Sequence, residues 1–215
     1  MITIEKIYTD LCKATEGNCD VAKLLQLKED IAQTIRENTC YKTTAKTRVN
    51  AIKRVASKDD CRPVLNGYGV YNDYKVVTDS YHLIAIKEDN IPLKPVVNDI
   101  EKEKKLGKEN CIFGTYPNVQ NIIDFNIDKN ENYIEYKNFD LNDIEAFYKM
   151  NKSKGPREAL YEIGDITCSI IYLKNVIDVI GEKFKMYVPK DNYNRPIYII
   201  NDKREIGLVL PVKTY

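Results

Sequence analysis

Tryptophan is absent from this chain of 215 residues, histidine occurs once, and its six cysteines include no Cys-x-x-Cys pair. One histidine (His82) without paired ligand spacing argues against a structural or catalytic metal site. Met1 to Lys6 lacks the charged-then-apolar layout of a secretory signal. Cys12, Cys19, Cys40, Cys61, Cys111 and Cys168 therefore read as reduced thiols of a cytoplasmic protein, not as a disulfide frame. The longest apolar stretches, Ile166 to Ile171 and Ile206 to Val212, fall far short of the roughly 20 residues that span a bilayer. Around His82 there is no Gly-x-Ser-x-Gly, no phosphate loop and no paired carboxylates. The expectation is a protein that binds without catalysing and carries no cofactor.

Charge of one sign is also missing overall. Lysine plus arginine total 33 against 32 acidic residues, a net charge of +1, so the whole protein is no generic binder of polyanions. Locally the balance differs. Between Tyr41 and Lys58 there are six basic side chains (Lys42, Lys46, Arg48, Lys53, Arg54, Lys58) and no acidic one. The run from Glu101 to Glu109 mixes signs and reads as a solvated connection. The tyrosines lie at strand spacing and suit sheet packing better than base stacking.

What is present is ordinary globular material, 43% hydrophobic and 30% charged, long enough for a real core. The first forty residues read as helical: Ile4, Ile7, Tyr8 and Leu11 form one amphipathic segment, and Val21, Leu24, Leu25, Ile31 and Ile35 a second. A further helix begins near Thr44 with Ala45, Val49, Ile52 and Ala56 on one face. On it Lys46, Asn50, Lys53 and Ser57 form a polar stripe, with Arg54 beside it. From Pro63 the period becomes two. Strands are predicted at Gly67 to Tyr71, Lys75 to Thr78 and Tyr81 to Lys87, with Asn72-Asp73 as a turn. Residues 88–110 read as loop. A strand at Cys111 to Thr115, a Tyr116-Pro117 corner, a strand at Tyr133 to Lys137 and a helix capped by Asp140 follow. Lys152 to Arg157 is a basic turn. The last unit is a strand (166–171), a helix (172–181) and strands at 184–188, 196–200 and 205–212. A helix followed by antiparallel strands thus occurs twice, at 44–87 and at 172–212.

Several short segments, in this order, resemble the bacterial sliding clamp, the DNA polymerase III beta subunit family. Ala51 to Gly67 is similar to the opening of the middle clamp domain, with Arg62-Pro63-Val64-Leu65-Asn66-Gly67 after the helix. Thr78-Asp79-Ser80-Tyr81-His82-Leu83 follows the family's Thr-Asp-Gly-His-Arg-Leu. Phe113 to Val119 resembles the segment that closes that domain. Ser169 to Ile177 and Leu210-Pro211-Val212-Lys213 resemble the last helix and terminal strand. Ser80, Tyr81, His82 and Leu210 depart from the family's Gly, His, Arg and Met.

The resemblance implies an α+β, DNA-clamp-like fold with antiparallel sheets and two clamp-type helices, preceded by an extra helical segment. The expected organisation is 1–40 helical; 41–123 a middle-domain-like half with the charged loop 88–110; and 124–215 a last-domain-like half. It also implies a peptide-binding pocket of Leu83, Pro117, Ile122, Leu208, Leu210, Pro211 and Val212, with Thr78, Tyr81 and His82 at its rim. Lys42, Lys46, Lys53, Arg54 and Lys174 are the expected DNA-facing residues, contacting phosphates without sequence preference. The expected partners are a DNA polymerase or other replication protein carrying a clamp-binding motif, and double-stranded DNA. Such a chain belongs in a phage or mobile element and encircles DNA only as a homo-oligomer. Two rivals stand beside this expectation: a monomeric adaptor or decoy that has lost DNA, and an enzyme on an unrelated α+β fold.

Overall fold

The computed structural model describes residues 26–27, 30–31, 43–190 and 194–212. Helix α1 (Ala45–Val55) begins where Thr44 can cap it, the threonine hydroxyl accepting from the Thr47 amide at 3.1 Å. It buries Ala51, Ile52 and Val55. Val49, expected on that face, is 40% exposed. At 3.6 residues per turn it lies about a third of a turn from the buried stripe, which Arg48 occupies in its place. After a 3₁₀ turn at Pro63–Asn66 come β1 (Gly69–Tyr71), β2 (Tyr74–Thr78) and β3 (His82–Ile86), with Asn72 at φ 52° in the predicted turn.

Residues 88–110 are not simply loop. They hold β4 (Val96–Val97), which pairs in parallel with β5 (Ile112–Phe113), and helix α2 (Ile100–Leu106). The Asp99 carboxylate caps α2 by accepting from the Glu101 amide at 2.8 Å. The mixed charges that suggested a solvated connection are the sides of a helix with no buried residue. Helix α3 (Gln120–Ile123), β6 (Tyr133–Tyr136), α4 (Leu141–Asn151), β7 (Leu160–Ile163) and β8 (Ile166–Ser169) follow. Then come α5 (Ile170–Ile180), β9 (Phe184–Pro189), β10 (Ile197–Asn201) and β11 (Ile206–Val209). The helices expected at 4–11 and 20–35 lie outside the described residues, apart from residues 26, 27, 30 and 31, which are helical.

The main sheet has seven strands in the order β1-β2-β3-β11-β10-β9-β6. Each half contributes one helix and a three-stranded meander, and the last strands of the two meanders, β3 and β11, pair antiparallel at the centre. That order relates α1-β1-β2-β3 to α5-β9-β10-β11 by an approximate twofold. One sheet face, including Val77, Ile84, Ile199 and Met186, packs under α1 and α5. The helix lies close: a Cβ on Gly207 of β11 would stand 2.2 Å from Val176 Cγ1 of α5. The opposite face carries Val76, Leu83, Ala85, Tyr187, Tyr198, Ile206 and Leu208. Past Val209 the chain leaves the sheet. Pro211 bridges Cys168, and the Val212 amide donates to the Thr167 carbonyl at 2.8 Å, so the expected strand over 205–212 is cut short. Proline has no amide proton with which to continue a ladder.

Candidate partner-binding site

Four of the expected pocket residues come together from three distant segments. Leu83 and Leu208 sit opposite each other across the β3–β11 ladder, 3% and 5% exposed. Half-buried Ile122 and Leu210 pack on the same apolar cluster, together with Tyr116. Pro117, beside Tyr116, is exposed. Leu83 and Leu208 form a floor; Ile122, Leu210 and Pro117 provide what solvent can reach.

The other expected members are placed differently. Thr78 is buried, and its hydroxyl both donates to the His82 carbonyl at 2.7 Å and accepts from the Ser80 amide at 3.0 Å. It closes the β2–β3 turn and offers nothing to a ligand. In that turn Ser80 holds φ 82°, at the position where the clamp motif has glycine. His82 is 1% exposed and points to the helix side, because successive strand residues face opposite ways and its neighbour Leu83 takes the other face. Its Nδ1 lies 2.8 Å from Asp79 Oδ1, its Nε2 lies 3.5 Å from the Asn175 amide, and its ring stacks on Tyr172 at 4.5 Å. Pro211 and Val212 run beside β8, apart from the leucine cluster.

Tyr81 joins the apolar face to a second feature. Its carbonyl accepts from the Leu210 amide at 2.9 Å, while its ring, 44% exposed, stacks on Tyr172 at 5.9 Å with the planes 5° apart. Here an open cleft of about 550 Å³ lies between the end of α1, the β2–β3 turn and the first turns of α5. Its lining includes Arg54, Lys58, Arg62, Tyr81, Tyr172 and Asn175. Burial pushes the Asp79 carboxyl up, yet bonds from His82 and from the Tyr81 and His82 amides outweigh it and hold the group below the ordinary carboxylate range. Tyr172 and Asn175 were not among the expected site residues. Their i, i+3 spacing, which puts both on one helix face, was the available signal.

The expected DNA-facing set divides. Lys46 and Lys53 are exposed on α1. Arg54 is engaged: its Nε donates to Asn175 Oδ1 at 2.7 Å, and Nη2 lies 2.9 Å from Asp178 Oδ2. Lys174 faces no solvent. It is 4% exposed, pairs with Asp178 and with Glu145 Oε2 at 3.0 Å, and lies over the Tyr148 ring. The reason is tertiary: α5 packs against both α1 and α4, so its polar side chains meet those neighbours instead of water. Lys42 lies outside the described residues. Among the described residues no group of three or more His, Cys, Asp and Glu is placed to hold a metal ion. No helix there is long and apolar enough to cross a membrane.

No family model matches the chain, and no curated protein does. Among solved structures it is similar to the DNA polymerase III beta chain of Streptococcus pneumoniae, at 14% identity and a TM-score of 0.49, over 82% of this chain and 67% of that one. It is also similar to the DNA polymerase sliding clamp of Bacillus subtilis, at 17% identity and a TM-score of 0.45, over 79% of this chain and 63% of that one. The chain spans about two thirds of the length of either structure.

Proposed function

We propose that this protein is a sliding-clamp-like accessory factor of DNA replication that works by binding rather than by catalysis. It holds a polymerase or another replication protein by docking a short apolar segment on the β3–β11 face. The observation that carries this reading is the convergence of Leu83, Ile122, Leu208 and Leu210 on one cluster, brought about by antiparallel pairing of the two meanders. The motif resemblance at Thr78 to Leu83 and Leu210 to Val212 supports it. The halves are 41–123 and 124–215, after a separate segment 1–40, and the site of action is the cytoplasm. Each apolar anchor contributes about 1.5–3 kcal/mol. Two or three of them, less the cost of ordering the segment, give about −8 kcal/mol, or micromolar affinity.

The test is fluorescence anisotropy with a labelled peptide of the Gln-x-x-Leu-Phe type that the resemblance implies. Saturable binding at about micromolar affinity, abolished by Leu210→Asp in a protein that still folds, is the expected outcome. Absence of binding by folded protein withdraws the recruitment claim.

A second reading, an adaptor or decoy that does not encircle DNA, is favoured by the Arg54–Asp178 and Lys174–Asp178 pairs. With Arg54 paired and Lys174 buried, Lys46 and Lys53 are the exposed expected contacts on α1 with no ion pair among the described residues. Titration of labelled duplex DNA decides between the two. Salt-dependent binding lost in Lys46→Gln/Lys53→Gln supports a DNA-encircling oligomer, and no binding at low salt supports the adaptor.

A further inference from the structure

At the free edge of the main sheet, the chain entering β1 meets β4 once and then parts from it. The Tyr68 amide donates to the Lys94 carbonyl at 3.0 Å, and the Tyr68 carbonyl accepts from the Val96 amide at 2.8 Å. These bonds make the one bridge between the two elements among the described residues, Tyr68 to Pro95. Successive strand residues turn their backbone groups to opposite sides, so the N–H and C=O of Val70 point the way those of Tyr68 do, away from β2. No bridge joins Val70 to β4 among the described residues, and Val70 is 64% exposed. From the other side Val96 shows its carbonyl, because its amide already points to Tyr68. Where the strands part, a wedge of about 200 Å³ opens, walled by Val76, Val96, Asn98, Thr115, Tyr116 and Val119 among others. None of its lining residues is charged. The Tyr116 ring lies over Gly69, where a Cβ would stand 2.4 Å from Cδ1. Leu83, Ile122, Leu208 and Leu210 do not line the wedge.

We propose that this wedge is a strand-addition site, separate from the β3–β11 docking face, which takes an uncharged extended segment of a partner protein along the edge of β1. Three observations select that occupant. An extended chain presents alternating N–H and C=O groups, the complement of the Val70 amide and carbonyl and the Val96 carbonyl. A wall without charge gives no partner to a phosphate, a carboxylate or an ammonium group, so nucleic acid and charged peptides would lose hydration there without recompense. Val76, Tyr116 and Val119 instead offer apolar surface to every second side chain of an added strand. The far end of the same sheet shows such an addition already made. There β6 runs along β9, Tyr133 to Tyr136 against Pro189 to Met186, whereas the β1 end is held by β4 at Tyr68 alone.

The test titrates the full chain with an end-capped peptide, Ser-Thr-Val-Ala-Val-Ser, and follows the backbone amides by NMR. Saturable shifts at Val70 and slower hydrogen exchange of its amide are expected. Val70→Pro deletes the outward N–H at an edge position, where proline is tolerated, and should weaken binding about fivefold, the loss of one backbone hydrogen bond. Val70→Ala keeps the N–H and should keep the affinity. A copy of the peptide N-methylated along its backbone should not bind, a control that does not depend on how Val70→Pro folds. Leu210→Asp should bind the probe as the wild type does, so this claim and the docking of a Gln-x-x-Leu-Phe peptide stand or fall separately. No response at Val70 up to the solubility limit of the probe overturns the proposal, as does equal binding of the N-methylated copy. Loss of the probe in Leu210→Asp assigns it to the docking face, and tighter binding of a Lys- or Glu-containing copy removes the charge argument; either result overturns the site as described. Protection of Val70 that grows with protein concentration in the absence of peptide gives the edge to a second copy of this chain and overturns the partner assignment.

Discussion

The two helices that open the two meanders have the same length and opposite surroundings. Helix α1 buries three of its eleven residues and shows lysines to solvent; α5 buries nine, among them Lys174, Asn175 and Asp178. Topologically they are counterparts, yet one borders the helical layer and the other packs against α1, α4 and the central strands at once. A polar residue on the first is a surface group. A polar residue on the second must find a partner, and the partners define a chain of contacts from Asp79 through His82, Asn175, Arg54, Asp178 and Lys174 to Glu145. Position in the layer, not local sequence, sets what each charge does.

That asymmetry can be broken most severely at Asp178. Asp178→Ala strips a buried carboxylate from Lys174 and from Arg54, and a loss of about 3–5 kcal/mol in urea unfolding is expected, as for buried pairs deprived of one partner. Lys53→Gln on α1 should leave the unfolding midpoint where it is. Apolar truncation sharpens the same contrast: Leu173→Ala, fully buried on α5, should cost about 2–5 kcal/mol, and Val49→Ala on α1 no more than about 0.5 kcal/mol. If the two truncations cost the same, the idea of unequal surroundings fails.

The approach of α5 to the sheet is tested at Gly207. Gly207→Ala places a methyl group against Val176 and Ile180, and overpacking of about 1–3 kcal/mol is expected from the same unfolding curves. A smaller loss than at Gly207 is expected at the β2–β3 turn. Asp79→Asn should cost about 1–2 kcal/mol, because the acceptor of two amides and of the His82 contact loses its charge. Its folded pKa lies below the unfolded value, so its contribution is present above about pH 4 and fades as pH falls through the lower folded value. Stability measured against pH should therefore show the wild type and Asp79→Asn converging only in acid.

Much of the fold is legible in the sequence. Strand alternation from Pro63 onward, the Asn72-Asp73 turn, the Asp140 cap and the repeated helix-plus-strands pattern all follow from local spacing. The site was legible in its apolar part only. Leu83, Ile122, Leu208 and Leu210 were grouped only by the clamp resemblance, and the fold brings them onto one apolar cluster. The short helix α2 hid in a charged run because seven residues hold too few apolar positions to show a period. His82, expected at the rim with Thr78 and Tyr81, is buried on the helix side, because Leu83 takes the apolar face and a strand sends neighbours to opposite faces. Tyr172 joined the site only through the fold, since nothing in Ser169 to Ile177 announces which side of α5 meets the β2–β3 turn.

By itself the sequence determined periodicity, caps and turns, and hence which residues form helices and strands, because these depend on neighbours a few positions away. Only the tertiary structure decided that β3 pairs with β11, that Lys174 is enclosed while Lys53 is not, and that Tyr81 lies between an apolar face and a cationic cleft. Those outcomes rest on contacts between separate elements, Lys174 with Glu145 of α4 and Leu83 with Leu208 across the central ladder, whose energies come from burial and charge pairing that no local pattern encodes.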